Sequence, residues 1–263
     1  MKAPLFLTTL ATAMLLSGCA DKEAAVNPVQ DISADALTQI RQLGFSAENV
    51  QRDEAGNYIV EGDILLSAAD LSNQANVQLL RVGQEEQYRT TNTVSGTRTI
   101  TISVSNQLPS AYITAIDEVV RRFNAENLRI TFARVSSGGN ISIVRASGSY
   151  LASAGFPTSA GEPFNQVKVN SRAIGTANPT TYIATILAHE IGHCIGFRHT
   201  DYMDRSYSCG GAVSNEGAST VGAVLIPGTP AAADPNSWML ACIGSGQDRP
   251  FNANDRTALN YIY

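Results

Sequence analysis

His189-Glu190-Ile191-Gly192-His193-Cys194-Ile195-Gly196-Phe197-Arg198-His199 holds all three histidines of a 263-residue chain. The spacing is H-E-x-x-H-x-x-G-x-x-H, and each fixed position has a chemical reason. On a helix, positions i and i+4 stack on one face, so His189 and His193 can bind a single Zn²⁺. Glu190 lies beside His189 on that helix, within reach of an attacking water as a general base. Gly196 can take a left-handed conformation closed to most residues, so it ends the helix and turns the chain. The turn returns His199 as a third ligand and leaves the fourth tetrahedral position for water. With independent positions the full pattern arises by chance in roughly one chain in a million, which sets aside a surface helix that carries histidines incidentally.

Outward from the motif, Thr180–Ile195 (TTYIATILAHEIGHCI) reads as one long apolar helix. Upstream of it the elements alternate. Arg98–Val104 switches between polar and apolar residues, the pattern of a half-buried strand. Pro109 then stands where a first helical turn tolerates proline, and Ile113, Ile116, Val120 and Phe123 form an apolar stripe ending near Asn127. Residues 128–135, 140–144, 150–157 and 164–170 read as further strands. Before residue 90, Leu37, Ile40 and Leu43 predict a helix within 31–48 with Gly44 past its end, and residues 58–66 a short strand broken at Gly62. Residues 67–97 are polar and rich in Gln, Asn and Thr, as in a linker or processing region. The expected division is 31–89 as a pro-segment or N-terminal appendage and 90–263 as a catalytic domain.

The net charge of −5 argues against a nucleic-acid partner, and only 16% of residues are charged, which suits an exported protein with ordered loops. Lys2 precedes an apolar run over residues 5–16, too short for a comfortable membrane span, and Leu16-Ser17-Gly18-Cys19 follows. Leu-Ser-Gly-Cys resembles the bacterial lipobox. That resemblance implies a lipoprotein signal peptide over 1–18, lipidation at Cys19, and a tether over 19–30. Ala20 stands where an aspartate would mark inner-membrane retention, so the expectation is an exported lipoprotein of the outer membrane, on its periplasmic or cell-surface face. A plain cleaved signal with an incidental cysteine is the alternative. Cys194, Cys209 and Cys242 remain, and an oxidising compartment allows one disulfide among three pairings. Cys209–Cys242 is favoured, tying the loop after His199 to the chain past Met239, with Cys194 close enough in sequence to compete.

The zinc motif resembles the signature of the metzincin peptidases. The wording HEIGHCIGFRHTD, with the C-terminal segments, is similar to the bacterial dual-action HEIGH metallo-peptidase family, from about Gln87 to the C-terminus. The resemblance implies an α+β, metzincin-like zincin fold: a twisted, five-stranded mixed sheet and an active-site helix above a loop-rich C-terminal subdomain. Residues 150–157 are then the antiparallel edge strand, open to an extended substrate. It also implies a monomeric zinc endopeptidase acting on protein or peptide substrates, with His189, His193 and His199 on Zn²⁺ and Glu190 as general base. A surface lipoprotein that binds a partner or metal without turnover is the alternative, and Glu190 argues against it because metal binding alone needs no base there.

The methionine turn of metzincins falls best on Met239, in Ser237-Trp238-Met239-Leu240-Ala241-Cys242, since Met203 follows His199 too closely. Two residues past it, Ala241 replaces a tyrosine that some relatives use, and Thr200 replaces an acid that in some anchors the mature N-terminus. Neither role transfers. The tail from Phe251 to Tyr263 resembles the family's closing helix, with Asn252 or Asn254 as cap and Ala258, Leu259 and Ile262 as its apolar stripe. Residues 210–236 are rich in Gly and Pro and shape the cleft; their Asp and Asn residues could bind Ca²⁺, without a spaced ligand set. Val60-Glu61-Gly62-Asp63-Ile64 resembles the F-x-G-D latency segment of the astacin branch, with valine for phenylalanine. It implies that the Asp63 carboxylate occupies the zinc before activation; an ordinary Gly-Asp turn is the alternative.

Overall fold

The computed structural model describes residues 32–72, 87–217, 221–230 and 233–263. Cys19, the signal peptide and the tether lie outside them, as do residues 73–86 of the polar stretch. Helix α1 (Ala34–Gln42) starts at Ser33, whose hydroxyl accepts from Ala36 N, and Gly44 takes a φ of 84° just past its end. Strands β1 (Gln51–Arg52), β2 (Tyr58–Val60) and β3 (Ile64–Leu66) follow, then a short α2 (Ala68–Ser72) and β4 (Tyr88–Arg89). Next come β5 (Arg98–Val104), α3 (Ser110–Asn124), β6 (Ile130–Val135), β7 (Ile141–Arg145), β8 (Ala152–Ala154) and β9 (Gln166–Val169). The chain closes with α4 (Ser171–Ile174), α5 (Thr180–Ile195), α6 (Ser206–Cys209), β10 (Val224–Leu225) and α7 (Ala253–Ile262).

The main sheet has eight strands among the described residues, in the order β1-β2-β3-β8-β9-β7-β5-β6, where five were expected. The five of residues 98–169 are there: β6, β5, β7 and β9 run parallel, and β8 is antiparallel to β9. The other three come from the N-terminal segment. β3 lies parallel to β8, with Ile64 opposite Ala154 and Ala154 N donating to Asp63 O (3.0 Å). β8 is therefore an inner strand and not the open edge that the sequence suggested. The physical reason is the apolar run through residues 58–66: Ile59, Val60, Ile64 and Leu66 are buried, and an unpaired β8 edge offers the backbone partners they need. Residues 32–263 accordingly form one compact unit. A separate two-stranded sheet pairs β10 with β4, so part of the polar stretch 67–97 is strand and not linker.

Helices α3 and α5 carry the apolar stripes that cover the sheet. Ile116, Val119 and Phe123 of α3 and Ile183, Leu187 and Ile191 of α5 share one buried cluster with Ile100, Ile102, Ile143 and Val167 of the strands. Each such aliphatic side chain contributes about 1.5–3 kcal/mol by leaving water. Trp238 anchors the far side of α5, with its ring centroid 5.5 Å from Phe123, 5.4 Å from Phe197 and 4.8 Å from Phe251. The capping box of α7 uses Asn252, not Asn254: its side chain accepts from Asn254 N and Asp255 N, and Asp255 accepts from Asn252 N. At the other end of α7, Tyr263 donates its hydroxyl to the Ile195 carbonyl. The closing helix thereby fixes the last turn of the helix that carries the motif.

Candidate metal centre and active site

Every residue of α5 from Tyr182 to Ile195 is buried, so the motif sits inside the molecule on a helix held from all sides. Gly196 ends it with a φ of 109°, and a Cβ there would come within 2.9 Å of the Asn92 carbonyl. The turn carries Phe197 and Arg198 past and points His199 back toward the helix. Beneath α5, the segment Ser237–Leu240 approaches so closely that a Cβ on Gly192 would lie 2.6 Å from Met239 Sδ. That contact fixes the Met239 turn against the helix one residue before His193. The adjacent Trp238 carbonyl lies 3.0 Å from His189 Nδ1.

The three imidazoles converge. Their Nε2 atoms are 3.1 Å apart for His189 and His193, 3.2 Å for His193 and His199, and 3.3 Å for His189 and His199. Asp63 Oδ2 completes the group at 3.1 Å from His199 Nε2 and 3.4 Å from His189 Nε2. Four ligands at Zn–N or Zn–O distances of 2.0–2.1 Å define a tetrahedron with edges of about 3.3 Å, so these separations fit zinc. The tautomers agree. Carbonyls and carboxylates accept only, so Nδ1 donates to Trp238 O in His189, to Phe197 O in His193 (2.8 Å) and to Glu216 Oε1 in His199 (2.6 Å). With the imidazoles neutral, all three Nε2 present lone pairs to one another, an arrangement that repels unless a cation stands between them, and the Asp63 carboxylate 3.1 Å from His199 Nε2 adds to the demand for positive charge there.

The electrostatics point the same way. Burial opposes charge on His199, yet the Asp63 and Glu216 carboxylates beside it hold its pKa well above the usual imidazole value. Burial, reinforced by the charges of His189 and His199, pushes His193 well below it. Two carboxylates at one imidazole create a field that calls for positive charge at this spot. Burial likewise raises Glu190, and the Asp63 carboxylate adds to the effect; Glu190 Oε2 has no hydrogen-bond partner among the described residues. Its carboxyl thus lines the same cavity as Asp63 and His189 without a hydrogen bond to either.

A second set of charges braces His199. Glu216 Oε1 also lies 3.0 Å from Arg205 Nε, and Arg198, fully buried, stands 3.5 Å from both Glu216 Oε2 and Glu61 Oε2. Glu61 and Glu216 were not singled out from the sequence. Glu216 lies in the glycine-rich stretch with no local pattern to mark it, and Glu61 falls on the unspecified x of the F-x-G-D pattern. The latter segment is a tight reversal between β2 and β3, with φ of 55° at Glu61 and 94° at Gly62. It is a Gly-Asp turn, and the same turn delivers Asp63 to the histidines.

Cys209 and Cys242 form a disulfide with Cα atoms 5.1 Å apart, while Cys194 is a buried free thiol. Among the described residues, Asp63 with the three histidines is the one group of three or more acidic, His or Cys side chains arranged to hold a metal. In the 210–236 stretch no Ca²⁺ ligand set forms among those residues; Asp234 instead accepts from Asn252 and Asn254 Nδ2.

No curated protein matches the chain. Two solved structures of myroilysin are similar to 41% of it at 17% identity, with a TM-score of 0.33 for each. The match covers 47% and 45% of the two myroilysin chains, so this chain spans just under half of their length. The family model described as dual-action HEIGH metallo-peptidase matches residues 58–263, beginning upstream of Gln87 and taking in the turn that carries Asp63. The chain belongs to the dual-action HEIGH metallo-peptidase family.

Proposed function

We propose that this protein is a zinc-dependent endopeptidase kept latent by its own N-terminal segment. The observation that carries the reading is the convergence of three Nε2 lone pairs and one carboxylate at tetrahedral spacing, with the uncommitted Glu190 alongside. His189, His193 and His199 hold the metal. Zinc, when bound, supplies Lewis acidity toward the scissile carbonyl and lowers the pKa of water to about 7. Glu190 takes a proton from the water that attacks the carbonyl carbon. As the C–N bond breaks it passes that proton to the leaving amine, so the products are a carboxylate and a free amine. The Trp238 carbonyl, the Phe197 carbonyl and Glu216 keep the three imidazoles in one tautomer and orientation.

Asp63 takes the fourth position, where water would otherwise sit, and β3 covers the β8 edge along which an extended peptide would pair. Both features support latency: one polypeptide segment occupies the metal and the substrate strand together. Activation then consists of displacing or removing that segment. From the sequence alone comes the setting, an exported bacterial lipoprotein anchored through Cys19 to the outer membrane and acting on protein substrates as a monomer.

The test is Glu190→Gln in the activated protein. Hydrolysis of a denatured protein mixture, sensitive to a zinc chelator in the parent, is expected to fall by about 10²–10⁴-fold while zinc content is unchanged. Turnover by the variant at the parental rate would refute the mechanism.

A further inference from the structure

Beside the metal centre lies a cavity of about 230 Å³, bounded by Thr185 and Ile186 of α5, by Tyr150, by Trp238 and Leu240, and by Arg249. It opens onto His189 and Glu190, so a side chain of any peptide reacting there has this space next to its scissile bond. Most of the lining is apolar. Its charged groups are mostly committed: Asp63 and Glu190 belong to the metal centre, and Arg205 pairs with Glu216 at 3.0 Å. Arg249 is the exception.

The position of Arg249 is built into the fold. Its backbone N donates to Thr185 Oγ1 (3.0 Å), one helical turn before His189, and its Nη1 donates to the Cys242 carbonyl (2.8 Å), next to the disulfide. The neighbouring Asp248 does not neutralise it, because Asp248 pairs with Arg122 at 2.8 Å and accepts from Thr185 Oγ1 at 2.9 Å. Two more distant acids are also occupied. Asp201 accepts from Ala241 N and Ser208 Oγ; Asp255 accepts from Gln87 Nε2, Ser237 Oγ and Asn252 N. Among the described residues, the Nη1 contact to Cys242 is the only hydrogen bond of the guanidinium, which offers five donors. Desolvation lowers the pKa of Arg249 from its usual value, but a guanidinium remains charged at any physiological pH. A half-buried cation lacking a carboxylate, at the wall of a mostly apolar cavity whose other charged groups are engaged elsewhere, is incomplete until a ligand supplies the anion.

We propose that Arg249 is a specificity-determining residue and that this cavity selects a substrate side chain ending in a carboxylate, Asp or Glu, adjoining the scissile bond. The inference rests on the peptidase reading and names the substrate class for the same site. The apolar wall of Ile186, Trp238 and Leu240 suits the methylene stem, and the guanidinium pairs with the carboxylate end. The cavity is thus matched to an acidic residue and opposed to a basic one, which would place two cations together.

The test compares three full-length, zinc-loaded proteins on one peptide library varied at every position flanking the cut: Asp63→Ala, and Asp63→Ala combined with Arg249→Gln or Arg249→Lys. Cut sites are read by mass spectrometry. In Asp63→Ala, Asp and Glu are expected to be enriched at a single position next to the cut. Arg249→Gln is expected to remove that enrichment and lower kcat/KM for a Glu peptide by about tenfold or more, while a matched Gln peptide is cut nearly as before. Arg249→Lys keeps the cation and the preference. If Arg249→Gln cuts nothing at all, the lysine variant decides: acid preference retained supports the assignment, and its loss overturns it. Identical profiles for the Asp63→Ala and Arg249→Gln proteins would overturn the subsite and leave the peptidase reading standing. A library left intact by Asp63→Ala even after limited proteolysis has removed the N-terminal segment would overturn both.

Discussion

Two regions of this molecule are held by different physics. Residues 98–263 share a continuous apolar core in which strands, α3, α5, α7 and the Trp238 turn bury one another. Residues 32–72 have a small core of their own, built from Ala36, Ile40, Leu43, Phe45, Val60, Ile64, Leu66 and Leu71. Their attachment to the body combines polar pairing with apolar contact. The polar part is the β3–β8 pairing, the buried Lys168–Asp53 ion pair, Glu61 against Arg198, and Asp63 against the histidines; the apolar part is Ile59 and Leu65 buried with Tyr150 and Phe164, with Phe156 and Val221 packed against the small core. Buried ion pairs contribute little net stability because desolvation offsets most of the attraction. The N-terminal segment thus reaches the body through contacts that end at the three histidines, while most of its own small core is distinct from the body's.

The largest effects fall where the comparison is sharpest. Trp238→Ala removes the ring that packs on Phe123, Phe197 and Phe251, and is expected to destabilise the whole body by about 3–5 kcal/mol. Ile40→Ala also empties a fully buried site, but in the small core. Its expected effect is faster hydrogen exchange and proteolytic nicking in residues 32–66, with the thermal midpoint of the body unchanged. A single shared melting shift for both variants would show that the two regions unfold as one.

Next in size is the disulfide. Replacing Cys209 and Cys242 together by serine reopens a loop of 33 residues and is expected to cost about 2–4 kcal/mol in denaturant unfolding. An unchanged midpoint would count against that tie. Smaller in energy is Glu216→Ala, which removes the acceptor of His199 Nδ1. Zinc affinity, measured by competition with a chelating dye, is expected to fall by about 10–100-fold, with Glu216→Gln less affected. Parental affinity in the alanine variant would make Glu216 a partner of Arg198 and Arg205 only.

These differences track what the sequence made legible. His189, Glu190, His193 and His199 could be placed because helix geometry fixes i to i+4 spacing and Gly196 fixes the turn, so eleven residues contain their own stereochemistry. Asp63 was legible through four residues of local pattern. What sequence did not expose was contact over distance. Nothing in residues 58–66 announces that they join β8, ninety residues away, because one strand edge looks like another until its partner is known. Gln87, in a stretch that reads as linker, is fully buried and donates to Asp255 and Ser237 across the body. Glu216 and Arg249 lie in irregular chain where no periodicity marks a side chain as inward, and their positions follow from the disulfide, Thr185 and the His199 turn.

The most direct measurement is the proteolytic activity of the full-length, zinc-loaded chain with and without Asp63→Ala. The parent is expected to be silent toward a denatured protein. Asp63→Ala is expected to hydrolyse it, or to degrade itself during expression, and adding Glu190→Gln is expected to abolish that activity with zinc still bound. An Asp63→Ala precursor as latent as its parent would remove Asp63 from the metal and reduce the N-terminal segment to a structural appendage.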